Sequence, residues 1–147
     1  MYQFNLEPLL RHRRFIEEHV HKEFVALQCQ LEEEERALTK LVEREMELMN
    51  NFREIKEKGA SGSILGLYQD FFEQLSQEIH IQAASKREVQ KKLDQKRDDL
   101  MEAMKKRKAL ERLKEKGLQA YQRKILRQEQ NLLGEIAITR FNRTHKR

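Results

Sequence analysis

The chain has no tryptophan, one cysteine and one proline among its 147 residues, and each shortage excludes something. The single thiol, Cys29, cannot close an intrachain disulfide, so a reducing compartment is expected. Pro8 is the only proline, so nothing after it carries the strongest helix breaker. No stretch approaches the roughly 18 consecutive apolar residues of a membrane-spanning helix. Residues 1–14 show no basic region followed by an apolar core, so no secretory leader is expected. These absences predict a cytoplasmic protein, at most peripheral to a membrane. Catalytic signatures are missing too: there is no glycine-rich phosphate loop, HExxH, CxxC or GxSxG. His12, His19, His21, His80 and His145 are scattered. His19 and His21 are two apart and face different sides of a helix. His19 and Glu23 could share one ion, but two ligands do not make a site. The expectation is a protein that is not an enzyme and needs no cofactor, metal or small-molecule ligand.

Apolar residues make up 38% of the chain and charged residues 37%, too little apolar surface for a compact globule. Two long paired helices need only a stripe, and the apolar residues are spaced regularly enough to disfavour disorder. Asn5 is a candidate N-cap, and Pro8 is tolerable in a first helical turn. Nothing breaks a helix from there to about Lys58. The cluster Gly59-Ala60-Ser61-Gly62-Ser63 then supplies a left-handed C-terminal glycine at Gly59 and an N-cap at Ser61 or Ser63. A second helix is predicted from about Ile64 to about Phe141. Gly66, Gly117 and Gly134 each cost it about 1 kcal/mol, with Gly117 the expected place for a bend. The boundaries are therefore one domain over 1–147: helix about 6–58, turn about 59–63, helix about 64–141.

Alternating steps of four and three from Leu6 pass through Leu10, Arg13, Glu17, Val20, Phe24, Leu27, Leu31, Glu34, Leu38, Leu41, Glu45, Leu48, Phe52 and Ile55. Eleven of these fifteen positions are apolar, which marks a heptad seam. The second helix offers Leu65, Tyr68, Phe72, Leu75, Ile79, Gln82, Lys86, Val89, Leu93, Lys96, Leu100, Ala103, Arg107 and Leu110. Past Leu110 the apolar phase shifts to Leu113, Leu118, Tyr121 and Ile125. A short turn favours antiparallel pairing within one chain. Charge agrees: residues 6–58 carry 10 basic against 13 acidic side chains, and residues 64–147 carry 20 against 12. Opposite excesses favour pairing of unlike helices. The acidic run Glu32-Glu33-Glu34-Glu35 is expected opposite Lys91, Lys92 and Lys96. The fold class is all-α, a long two-helix antiparallel coiled-coil hairpin, monomeric on its own.

Helix one is too short to cover all of helix two. Residues beyond about Gly117 form a C-terminal helical overhang that still carries Leu118, Tyr121, Ile125, Leu126, Leu132, Leu133, Ile136 and Ile138. An isolated solvated helix has no use for these, so the overhang is expected to bind a partner. The basic run Lys105-Lys106-Arg107-Lys108 raises nucleic acid, but the heptads precede it and Glu102, Glu111 and Glu115 interrupt it. No nucleic-acid partner is expected. Phe71 and Phe72, beside Tyr68 and Leu75, cannot both face the seam, since neighbours lie about 100° apart on a helix. One of them is expected at the surface as a contact.

An ordered set of motifs runs along the chain. It begins Phe4-x-Leu6-x-x-x-Leu10-x-x-Arg13-x-x-x-Glu17, and Leu67-Tyr68-Gln69-Asp70-Phe71-Phe72-Glu73-Gln74-Leu75 follows the turn. It continues through Lys108-Ala109-Leu110-Glu111-Arg112-Leu113-Lys114-Glu115-Lys116 to Tyr121, Glu129 and Glu135-Ile136-Ala137. This set resembles the FliJ family of flagellar type III export proteins over nearly the whole chain. The resemblance implies a stalk, similar to the γ subunit of rotary ATPases, for flagellum biogenesis, motility and chemotaxis. The chain ends would insert into the hexameric flagellar export ATPase. The hairpin side would meet the cytoplasmic domain of the membrane export gate at the inner membrane's cytoplasmic face. Export chaperones would be escorted as well. By position, the implied ATPase-facing residues are Phe4, Leu10, Arg13, Lys108, Glu111, Tyr121, Glu129 and Glu135. The implied gate-facing residues are Leu41, Leu48, Phe71 and Leu75, although Arg44 and Leu48 stand where some relatives carry aromatics. From the residues alone, a virulence-type secretion stalk, a homodimeric scaffold and a nucleic-acid-binding coil remain alternatives.

Overall fold

A computed structural model describes residues 1–145. Helix α1 spans Glu7–Lys58 and helix α2 spans Gly62–His145. They pack against each other as a hairpin, with no strand among the described residues. α1 starts one residue later than the Asn5 cap predicts. The Leu10 amide donates to the Leu6 carbonyl at 2.9 Å, which makes Leu6 the capping position and leaves Pro8 in the first turn. At the other end Gly59 has φ +80°, the left-handed conformation that a glycine after a helix adopts without Cβ strain. α2 then starts at Gly62 rather than at Ile64. Ser61 caps it, with its hydroxyl accepting from the Ile64 amide at 3.4 Å and its carbonyl accepting from the Leu65 amide at 3.2 Å. The turn is thus Gly59–Ser61, and α2 runs on to His145, past the predicted end at Phe141.

Two compact units make up the chain, Glu18–Met101 and the pair of segments Met1–Glu17 and Glu102 onward. In the unit Glu18–Met101 the turn is closed by an aromatic cluster. The Phe52 ring lies 5.6 Å from Tyr68 in a tilted stack and 5.6 Å from Phe72 edge-on, with the Lys56 ammonium 5.0 Å above it. Leu75, Val89 and Leu93 are buried along the seam. The polar seam residues Gln82, Lys86 and Lys96 are half-buried, each with a partner from α1. The Gln82 amide donates to the Glu34 carbonyl at 3.1 Å and to its carboxylate, Lys86 reaches Glu35 at 3.9 Å, and Lys96 pairs with Glu23. These pairs correct the expectation for the acidic run. Glu34 and Glu35 face Gln82 and Lys86, whereas Lys96 is held by Glu23 and Lys91 by its own-helix neighbour Glu88. The acidic residues meet a part of α2 nearer the turn than simple folding about residue 61 predicts.

In the unit formed by Met1–Glu17 with the residues from Glu102 onward, Leu10 is fully buried and Ala103 and Leu110 are buried with it. Beyond Leu110 the seam keeps its phase instead of shifting. Lys114, Gly117 and Tyr121 are half-buried, while Leu113 is 54% exposed and Leu118 also faces solvent. An ion pair and a glycine continue the packing: Lys114 reaches Glu7 at 2.9 Å, and Tyr2 lies on Gly117. α2 is continuous helix through Gly117, where the bend is expected, and this glycine is the contact for Tyr2.

Candidate functional site

Leu48, Phe71 and Leu75 come together on one groove of about 420 Å³ in the unit Glu18–Met101. Arg44, Glu47, Asn51, Gln74 and Glu78 complete its walls. The reason is periodic: Leu48 and Leu75 are seam residues, and Phe71, four before Leu75, flanks the seam on the same face. Leu75 is buried as the floor, Leu48 is half-buried, and Phe71 is 54% exposed at the rim. The neighbouring Phe72 turns inward against Phe52, as the angular separation of adjacent residues requires. Leu41 is half-buried and lies outside this groove's lining. The groove offers an apolar floor between a base and two carboxylates, which suits an apolar or aromatic side chain carried on a polar segment.

The residues implied at the chain ends all fall in the other unit, in different environments. Leu10 is fully buried and Arg13 is half-buried at a seam position, so both hold the helices together. Phe4 is half-buried, and Tyr121 stacks on Tyr2 with ring centres 5.7 Å apart. Lys108, Glu129 and Glu135 are exposed. From Gln122 to His145 every residue is exposed, including Ile125, Leu126, Leu132, Leu133, Ile136, Ile138 and Phe141. The unpaired helix therefore begins after Tyr121, one turn later than predicted, and extends about 36 Å at ~1.5 Å per residue. Ile125, Leu132 and Ile136 recur at helical spacing and form one apolar stripe along it, continuing from Leu118.

Charges at the seam of this unit are paired across and along the helices. Arg107 bridges Glu17 across the helices and Glu111 on its own helix, the latter at 2.8 Å, and Arg14 also reaches Glu111 at 3.5 Å. The hydrogen bond from Arg107 holds the Glu111 carboxyl below its ordinary value, and hydrogen bonds from Lys114 and Lys96 do the same for Glu7 and Glu23. Of the basic run that raises nucleic acid, Arg107 is thereby neutralised within the chain. In the unit Glu18–Met101, His19 Nε2 donates to the Glu23 carboxylate over 2.7 Å, a carboxylate already taken by Lys96. Among the described residues no three His, Cys, Asp or Glu side chains gather to hold a metal ion, and no helix is long and apolar enough to cross a membrane.

Sequence reasoning missed the contact of Tyr2 with Gly117 and the groove walls Asn51, Gln74 and Glu78. A glycine inside an otherwise uninterrupted helix was the one available signal for the first. No curated protein and no solved structure matches the chain. A family model described as Flagellar FliJ protein matches residues 2–146. With that match running nearly end to end over two long paired helices, the chain belongs to the FliJ family, non-enzymatic components of flagellar protein export.

Proposed function

We propose that this protein is the coiled-coil stalk that docks in the hexameric flagellar export ATPase and links it to the membrane export gate. The observation that carries the reading is the stretch after Tyr121, a helix whose apolar side chains have no partner among the described residues. A contiguous exposed apolar stripe of this kind marks an interaction surface. Lys108, Glu129 and Glu135 are solvated charges on the same unit and supply polar grip for a ring. Gate binding is assigned to the groove of Leu48, Phe71 and Leu75, with Leu41 beside the same seam. Engagement of the gate's cytoplasmic domain would bring the protein to the cytoplasmic face of the inner membrane. Escort of export chaperones is part of the same proposal and rests on family membership.

The test is co-purification of the full chain with the hexameric ATPase, beside a chain ending at Tyr121. The truncated chain should keep its helical circular dichroism per residue and its melting temperature, and lose ring binding. Equal ring binding and equal ATPase stimulation by the two chains would remove the helix after Tyr121 as the docking element.

A further inference from the structure

Gly117 is a costly residue in the interior of a long helix, and its backbone is ordinary helix, so no unusual φ explains it. Space explains it. A Cβ at this position would collide with the Tyr2 hydroxyl and stand 3.0 Å from the ring carbon that bears it. The other helical glycines, Gly62, Gly66 and Gly134, have nothing within 4 Å of that place. Tyr2 belongs to the non-helical segment ahead of α1, and its ring packs on Tyr121, one turn beyond Gly117. The Met1 nitrogen donates to the Tyr121 hydroxyl at 3.0 Å. From its other side the segment is tied to α1, where the Glu7 amide donates to the Phe4 carbonyl at 3.1 Å. Phe4 thus carries the second anchor on its backbone, and its side chain is half-buried.

We infer that Gly117 is a notch for Tyr2, and that this contact positions the segment Met1–Leu6, with Phe4, on the flank of α2 that docks in the ATPase ring. The inference rests on the ring-docking reading and adds two positioning residues to it. Tyr2 and Gly117 act through the placement of Phe4 and Tyr121. Alanine favours a helix over glycine, so Gly117→Ala strengthens α2 while its Cβ forces the Tyr2 ring out of its present place. The variant therefore folds, and its defect is confined to the segment.

The experiment uses the full chain with Gly117→Ala, Tyr2→Ala, the double variant and, as the open-space control in the other compact unit, Gly66→Ala. Two readouts are taken: the nuclear Overhauser contact between the Tyr2 and Tyr121 rings in the isolated protein, and the affinity for the hexameric ATPase. Gly117→Ala should abolish the ring contact, leave the melting temperature no lower, and weaken ATPase binding at least tenfold. Tyr2→Ala should weaken it equally, and the double variant should be no worse than either alone, as two halves of one contact require. Gly66→Ala should keep both the contact and the affinity. ATPase binding by Gly117→Ala equal to that of the unaltered chain, or a persistent ring contact in that variant, overturns the inference. Failure of the unaltered chain to bind the ATPase instead overturns the docking reading and the positioning role with it. The ring contact in the isolated protein then decides whether the notch itself exists.

Discussion

Arg107 occupies a seam position where a leucine would pack, and it is tolerable there because its guanidinium has two carboxylates to satisfy it. Its planar fork can serve Glu17 and Glu111 together, which a lysine's single ammonium could not match. Such a pair contributes less to net stability than an apolar pair would, but it penalises any register that leaves one charge unmatched. Glu7, Glu23 and Glu111 each have a carboxyl held below the ordinary value of 4.5, chiefly by a hydrogen bond from Lys114, Lys96 and Arg107 respectively. A depressed carboxyl contributes stability that is fully present above its unfolded value and is lost as pH falls through its folded value. The melting temperature should therefore be level from neutral pH down to about 5, and should fall below the ordinary carboxyl value of 4.5. Glu111→Gln should flatten part of that fall, and added salt should flatten more of it, because these pairs are largely solvated. Circular dichroism melts across pH 3–7 check both; an acid fall unchanged by the substitution and by salt would assign it to other groups.

At the scale of the helix, α2 lives in two regimes. Up to Tyr121 its seam is covered by the chain's own earlier residues, and after Tyr121 nothing described here covers it. Leu93→Ala, at a buried seam position, should cost about 2–3 kcal/mol of unfolding free energy, while Leu132→Ala, 57% exposed on the overhang, should stay within about 0.5 kcal/mol. Denaturant titration of the two variants measures the contrast, and equal losses would mean that the overhang is packed in the free protein. Almost all of this pattern is readable in the residues. Apart from Leu6, the seam positions from Leu10 to Ile55 and from Leu65 to Leu110 are buried or half-buried, the charged ones included. Heptad spacing reports the seam directly, and the glycine and serine cluster reports the turn. The spacing fails after Leu110, where following the apolar residues leads to Leu113 and Leu118 and so to the wrong face. There the packing is made by Lys114 with Glu7 and by a glycine with Tyr2, and neither has an apolar signature. Gly117 looks like a weak point until the residue it admits, 115 positions earlier, is known. The proposed docking residues are legible only in part for a related reason: Leu10 and Arg13 carry family-like spacing at seam positions, which says nothing of what a partner touches.

At the scale of the whole molecule, an unlike-charged pair of helices joined by three residues favours one chain folding on itself. Light scattering at micromolar concentration should return a monomer's mass, and a stable dimer would point to a scaffold instead. Two partners are proposed for two surfaces, and the surfaces lie in different compact units of the chain. The groove of Leu48, Phe71 and Leu75 belongs wholly to Glu18–Met101, and Lys108, Glu129 and the helix after Tyr121 belong wholly to the other unit. Single-surface variants should therefore separate the two activities. The choice of residue matters. Arg13 and Glu111 are poor probes of a ring contact, because Arg13 is half-buried in the seam and Glu111 is held by Arg107 and Arg14. Their loss would disturb the helices as well as any partner. Lys108 and Glu129 are exposed and appear in no ion pair among the described residues, so Lys108→Ala with Glu129→Ala should spare the fold. Phe71→Ala removes a rim side chain that is more than half exposed and should spare it too. Phe71→Ala should weaken binding to the gate's cytoplasmic domain about tenfold or more and leave ATPase stimulation intact, since a buried aromatic anchor contributes roughly 1–2 kcal/mol or more to an interface. The Lys108 and Glu129 double change should do the reverse. Salt separates the two contacts further, because the charged one should weaken as ionic strength rises and the aromatic one should hold. Equal damage to both activities from either variant would mean one shared surface, and a stalk that grips a ring and a gate at separate sites would have to be abandoned.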